Sequence, residues 1–277
     1  MELSWIQNLL LGLISGLTEM LPVSSQAHQT ILLNFFGGED AAPMTRLVIH
    51  AAIFLTVLFS IWGQIARIRR QMQLVRLPRR RRNRPVDMSA LMDARIIRTA
   101  IFPILLMLLL FSLSRRISSL LLLALVSLVN AAVLYLPSVF PTADKDSRLV
   151  TPLESLFMGL GTGSAVIPGM SSIGVSYSVG VLHGVDRKYM VHLSLMMQLL
   201  FTAGMIFYDL LDLITAGGAA FSVSALVGWA VAAVAAVIGT RLGLGGLYRA
   251  VEKKGLTGFA FYSFGVALFT FILYLMV

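Results

Sequence analysis

Long apolar runs alternate along this chain with short polar breaks, and the runs are too long and too uniform for the core helices of a water-soluble domain. Candidate spans fall at residues 47–65, 96–114, 117–136, 189–211, 222–239 and 257–276. Each approaches the roughly 20 apolar residues that cross a bilayer. Two further apolar segments, 4–34 and 152–182, are cut by Pro22 and by Pro168-Gly169. Each half is too short to cross, so each segment predicts a re-entrant helical hairpin. The segments 67–95 and 137–151 remain as loops.

The pattern repeats. Pro22-Val-Ser-Ser25 has a counterpart in Pro168-Gly-Met-Ser-Ser172, and a long span follows each. Val48–Phe59 lies over Met190–Phe201 without a gap, which superposes His50 on His192. The first of these spans ends in Arg67, Arg69 and Arg70, and the second in Asp209 and Asp212, so the two run in opposite senses across the membrane. The expected architecture is therefore an all-α membrane protein in one membrane domain, with six transmembrane helices and two re-entrant hairpins. Its halves, 1–136 and 150–277, form an inverted-topology repeat. Such repeats place substrate near the midplane, where broken helices offer N-terminal N–H groups to anions.

Composition agrees: 57% of residues are hydrophobic, 13% are charged, and the mean hydropathy is +0.85. The formal charge of +9 would suggest nucleic acid, but its basic residues concentrate between Arg67 and Arg98, densest at Arg79–Arg82, between two membrane spans. A cytoplasmic loop obeying the positive-inside rule explains them, with anionic-lipid contact as the second reading and no nucleic-acid partner. Lys253, Lys254, Arg241 and Arg249 then fall inside, while Arg115 and Arg116 fall outside, against the rule. The N-terminus lacks the basic segment and cleavage site of a signal peptide, so residues 1–14 are expected in the mature structure. There is no cysteine, hence no disulfide and no thiolate metal site.

A carboxylate, serines and histidines at bilayer depth mark a site unless they serve the backbone. Glu19 reads as a site residue or as a helix-capping carboxylate. His28 reads as a nucleophile or proton carrier, or as a side chain bonding a backbone carbonyl exposed by the break. Ser24, Ser25, Ser171 and Ser172 read as ligand contacts or as partners for unpaired backbone groups. His50 and His192 fit helix–helix hydrogen bonding as well as phosphate or metal contact. No close His-x-x-x-His or His-x-x-Glu spacing supports a metal cage.

Thr18-Glu-Met-Leu-Pro-Val-Ser-Ser25 followed by His28, then Pro168-Gly-Met-Ser171, Gly184-Val-Asp-Arg187 and Gly255–Tyr262, resemble the undecaprenyl pyrophosphate phosphatase family of bacterial membrane enzymes. The resemblance runs the whole chain. It implies removal of one phosphate from a polyprenyl diphosphate carrier, recycled for cell-wall synthesis, by a multi-pass protein of the bacterial inner membrane. It also implies a divalent cation, Mg²⁺ or Ca²⁺, with Glu19 as its ligand. Glu19, Ser25 and His28 are then the catalytic candidates. Ser24, Gly169, Ser171, Ser172, Ser176, His50 and His192 are the substrate-binding candidates.

The chain departs from the family pattern where that pattern is chemically most explicit. Ser15 stands where the family has a first glutamate, Ser172 where it has arginine, and Ile173 where it has serine. His50 and His192 stand where it has glutamine and glutamate. Losing an arginine at a diphosphate removes a permanent charge and a two-pronged hydrogen-bond donor. Candidate substitutes are His28, His50, His192, Arg46 and Arg187. Two functions follow: a polyprenyl diphosphate phosphatase with a remodelled site, or a non-hydrolytic flippase of polyprenyl phosphate on the same fold.

Overall fold

The computed structural model describes residues 3–38, 41–78, 80, 84–111, 119–140, 144–219, 221–253 and 255–276. Its described helices are α1 (Trp5–Met20), α2 (Ser25–Phe35), α3 (Pro43–Ser60), α4 (Trp62–Arg76), α5 (Met88–Leu109) and α6 (Leu120–Tyr135). They continue with α7 (Pro152–Gly163), α8 (Ser172–Leu182), α9 (Arg187–Thr215), α10 (Val223–Lys253) and α11 (Thr257–Met276). Five of them, α3, α6, α9, α10 and α11, are long and apolar enough to cross a membrane. The sixth expected span, 96–114, begins within α5, whose first half carries Asp93, Arg95 and Arg98, and it ends among residues outside those described.

The two broken segments use the same local chemistry. α1 starts in a capping box, Ser4 with Gln7, and stops at Leu21, which is extended because Pro22 follows it. Ser24 then caps α2 by accepting from the Ala27 N–H. α7 also starts in a capping box, Thr151 with Glu154, and has Pro152 in its first turn. After the short 3₁₀ turn Ser164–Val166, Ile167 is extended before Pro168, and Ser171 caps α8 by accepting from the Gly174 N–H. Gly169 sits between them at φ +109°, where a Cβ would also meet the Ser127 amide nitrogen at 2.9 Å.

Helices pair closely through small residues. A Cβ on Gly12 or Gly16 of α1 would lie 2.3 Å and 2.2 Å from the carbonyl oxygens of Ala232 and Ala236 on α10. α5 packs along α7 in the same way, with Gly159 against Ala100 and Pro103. α3 and α9 lie antiparallel. Arg46, near the start of α3, meets Asp209 and Asp212 near the end of α9, and Gln64, just past the end of α3, meets His192 near the start of α9. α6 and α11 are antiparallel too, through Asn130–Ser263 and Tyr135–Phe261.

Two expectations need correction. The segment 67–95 is not one loop: α4 continues through Arg76 and α5 starts at Met88, because Ile65, Ile68 and Met72 form an apolar stripe that packs beside α5. α10 runs past the expected end at 239 to Lys253, since Arg241 and Arg249 lower hydropathy without breaking a helix. The surface carries large exposed apolar groups such as Phe59, Phe102, Leu109, Phe221 and Leu275, as a lipid-facing surface does. Arg115, Arg116, Lys254, Arg79 and Arg81–Arg82 lie outside the described residues.

Candidate active site

The breaks in the two hairpins meet. Ser24 Oγ, already capping α2, also accepts from the Gly169 N–H at 3.0 Å, which ties the first turn to the second. The Ser171 N–H donates to Asn130 Oδ1 at 3.0 Å, anchoring the start of α8 to α6. Beside this junction lies a cavity of about 500 Å³. Its lining includes Glu19, Ser25, Gln29, Arg46, His50, Pro168, Ser171, Ser172 and Asp209.

Two helices begin at this cavity, α2 at Ser25 and α8 at Ser172. The first N–H groups of a helix lack intrahelical acceptors, and the macrodipole adds positive potential there, so the junction favours an anion. Glu19, in the last turn of α1, brings a carboxylate to the same space. Gln198 Nε2 donates to Glu19 Oε1 at 2.6 Å, and Gln198 Oε1 accepts from the Ser172 hydroxyl. One glutamine of α9 thus links the carboxylate of the first hairpin to the serine of the second.

A second polar chain crosses the cavity. His50 Nδ1 donates to Asp209 Oδ2 at 2.5 Å, which leaves Nε2 as the nitrogen able to accept a proton. Arg46 Nε donates to the other Asp209 oxygen at 3.2 Å, and its Nη2 to Asp212 at 2.6 Å. Arg46 is the only lysine or arginine among the described lining residues, and two carboxylates already engage it. An anion in this cavity therefore meets helix N-termini, hydroxyls and an imidazole, not an unpaired guanidinium.

Glu19, Ser25, His50, Ser171 and Ser172 thus line one cavity. His28 does not. Its Nδ1 donates to the Ser24 carbonyl at 2.6 Å, its Nε2 accepts from the Tyr262 hydroxyl at 2.8 Å, and the rings stack. The cause is helical phase. Ser25, Gln29 and Leu33 form the cavity face of α2, and His28 is turned about 100° from Gln29 toward α11. Ser176 is buried and bonded to Ser194 and the Ile173 carbonyl, away from the lining. Ser24 and Gly169 hold the junction without lining the cavity.

His192 lies at the other end of the α3–α9 pair, accepting from Gln64 Nε2 at 2.7 Å. Arg187 donates to the Pro137 carbonyl and is not among the lining residues, so it is no substitute for the missing arginine. Ser15 is fully buried, with no partner for its hydroxyl, and also lies outside the lining.

Asp209 and Gln198 are the partners that sequence reading missed. Asp209 served there only as a mark of orientation, yet it lies within a helix of membrane-spanning length. Gln198 lies inside a matched span, where an uncharged polar residue is itself a signal. Among the described residues no group of three or more His, Asp or Glu side chains is arranged to hold a metal ion. Glu19 fits a cation that brings most of its ligands as phosphate oxygens and water, as Mg²⁺ commonly does.

Comparison with known proteins gives a consistent pattern. The family model described as bacitracin resistance protein BacA matches residues 8–269. The undecaprenyl-diphosphatase of Renibacterium salmoninarum is 26% identical over 276 residues, covering 98% of this chain and 96% of that protein. Undecaprenyl-diphosphatase 1 of Shouchella clausii is 27% identical over 271 residues, covering 98% of this chain and 96% of that protein. The undecaprenyl-diphosphatase of Corynebacterium striatum is 30% identical over 204 residues, covering 71% and 69%.

Proposed function

The chain belongs to the bacitracin resistance protein BacA family, and on that premise we propose that it hydrolyses a polyprenyl diphosphate of the undecaprenyl class in the bacterial inner membrane. The observation that carries this reading is the meeting of two helix N-termini and the Glu19 carboxylate in one cavity. The undecaprenyl-diphosphatases that the chain resembles supply the substrate class.

In this reading the terminal phosphate sits against Ser25, Ser171 and Ser172, where hydroxyls and first-turn N–H groups face its oxygens. His50, held in one tautomer by Asp209, takes the proton from the attacking hydroxyl group. Ser25 Oγ attacks the terminal phosphorus as polyprenyl phosphate leaves with the bridging oxygen, and water then cleaves the phosphoserine, releasing inorganic phosphate and restoring the hydroxyl. His28 acts indirectly, by holding the Ser24 turn that joins the hairpins. A divalent cation, held by Glu19, would neutralise charge on the nonbridging oxygens. Gln198 orients Glu19 and Ser172 toward the same phosphate.

The membrane arrangement is part of the same proposal: six spans, with the two broken segments as re-entrant hairpins and the halves 1–136 and 150–277 inverted. Helix pairing supports it. Exchanging α1 with α7, α3 with α9, α5 with α10 and α6 with α11 turns the α1–α10 pair into α7–α5, and α3–α10 into α9–α5. The α3–α9 and α6–α11 pairs map onto themselves, and both are antiparallel, as an axis in the membrane plane requires.

A second reading rests on the pairing of Arg46 with Asp209 and Asp212, which leaves no uncommitted guanidinium for a diphosphate among the described lining residues. It makes the protein a flippase of polyprenyl phosphate. Purified protein and undecaprenyl diphosphate, assayed for inorganic phosphate with Mg²⁺, Ca²⁺ or EDTA, separate the two. Phosphate release that disappears in Glu19→Gln supports the phosphatase. No release, with polyprenyl phosphate moving between leaflets of a vesicle, overturns it in favour of the flippase.

A further inference from the structure

A second cavity, of about 480 Å³, lies between α4, α5 and α9, apart from the candidate active site. Ile61, Ile65 and Ile68 on one wall and Ile97, Ile101, Leu199 and Leu200 on the others make it apolar. Three arginines also line it: Arg69 and Arg76 of α4 and Arg98 of α5. We propose that this groove is a binding site for an anionic phospholipid, with an acyl chain between α5 and α9 and the phosphate at Arg69, Arg76 and Arg98.

The groove is graded along its length. At 1.5 Å per residue, Met196 and Leu200 lie about 14 Å and about 20 Å along α9 from its start at Arg187, so the apolar end reaches into the bilayer. The other end is basic. Arg69 and Arg76 are two turns apart on one stripe of α4, with Gln73 between them, and Arg98 faces them from α5. The Arg67 guanidinium is taken by Asp87 and Asp93, whereas among the described residues no carboxylate pairs with Arg69, Arg76 or Arg98. Three cations beside an apolar groove of this size match one phosphate headgroup and its chain.

Local geometry places this end at a membrane surface. α3 stops at Ser60, α4 starts at Trp62, and the Trp62 side chain is exposed where an interfacial aromatic belongs. The exposed Arg80 and Arg84 follow on the same side. A leaflet rich in anionic lipid attracts such a segment, and the groove converts that diffuse attraction into one defined site. The cavity at Glu19 has the opposite character: its lining includes hydroxyls and carboxylates, and the one arginine among its described lining residues is paired.

The test is lipid retention. Protein reconstituted in nanodiscs of phosphatidylcholine with a minor fraction of phosphatidylglycerol is re-extracted in mild detergent, and bound lipid is measured by native mass spectrometry. Wild type is expected to keep phosphatidylglycerol in preference to phosphatidylcholine. Combined Arg69→Gln, Arg76→Gln and Arg98→Gln substitution is expected to lower retention about tenfold or more. Ala94→Phe, which fills the groove and leaves every charge in place, is expected to lower it as well.

Arg80→Gln, Arg84→Gln and Arg95→Gln remove as many charges outside the lining and are expected to change little. Equal loss in that control, equal retention of both lipids, or displacement of phosphatidylglycerol by undecaprenyl phosphate would each overturn the proposal. The readout needs no catalysis, so its outcome is independent of the phosphatase reading.

Discussion

Gly16→Ala tests how packing sets the site. The added Cβ would lie 2.2 Å from the Ala236 carbonyl oxygen and 2.8 Å from the Thr240 amide nitrogen, both backbone atoms of α10. The nearer contact falls about 0.8 Å short of what a carbon tolerates, and no side-chain rotation can relieve it. α1 and α10 must separate. Gly12 against Ala232 and Gly239 against Leu13 hold the same seam, so the strain spreads along α1 instead of ending at one residue.

Overpacking of this kind costs about 1–3 kcal/mol. Glu19 lies less than one turn beyond Gly16, so a shift approaching 1 Å carries its carboxylate out of register with Ser172 and Gln198. A misplacement of about 1 Å can lower a rate by about 100-fold. The expected result is a lower thermal midpoint in detergent together with phosphate release reduced by about that factor. Gly265→Ala, on α11 where nothing lies within 4 Å, is the control and should be neutral. A Gly16→Ala protein with wild-type midpoint and wild-type turnover would refute the close approach of α1 and α10 and the coupling derived from it.

The other predictions concern chemistry and topology. Glu19→Gln should lower phosphate release by about 100-fold or more with the thermal midpoint unchanged, since it removes the carboxylate that would hold the charge-neutralising cation and keeps the side chain's shape. Ser172→Arg should lower release, because it removes a hydroxyl placed against the phosphate and breaks its bond to Gln198, and a rise of about tenfold would indicate that a guanidinium serves the phosphate better than that hydroxyl. Ser15→Glu should instead lower the midpoint, because Ser15 is fully buried and outside the lining. His50→Gln should remove the acid limb of the pH–rate profile, and an unchanged limb would exclude His50 as the base. Cysteines introduced at Arg80 and Thr215 should label from opposite sides of a vesicle, since the chain has no native cysteine. Labelling from one side would overturn the inverted arrangement.

What the sequence alone determined is what the chain decides locally. Proline deprives a helix of a donor and extends the residue before it, so the breaks at Pro22 and Pro168 were readable, whereas the serines beside them stayed open between ligand contact and service to the backbone until Ser24 and Ser171 proved to cap α2 and α8. Apolar run length located α11 at 257–276 and the body of α6 and α9. It misjudged α4 and the end of α10, where charged residues remain helical because neighbouring helices cover their apolar sides.

The tertiary structure decided which face of each element meets the cavity and what reaches it from far along the chain. Helical phase within α2 sends Ser25 to the cavity and His28 to Tyr262, a difference that motif spacing does not carry. His50 meets Asp209 across 159 residues, and Glu19 meets Gln198 across 179. The aligned histidines, His50 and His192, separate to opposite ends of the α3–α9 pair because those helices run antiparallel. Only packing brings such partners together, since hydrogen bonds between spans depend on how the helices are arranged and not on the apolar pattern that makes them helices.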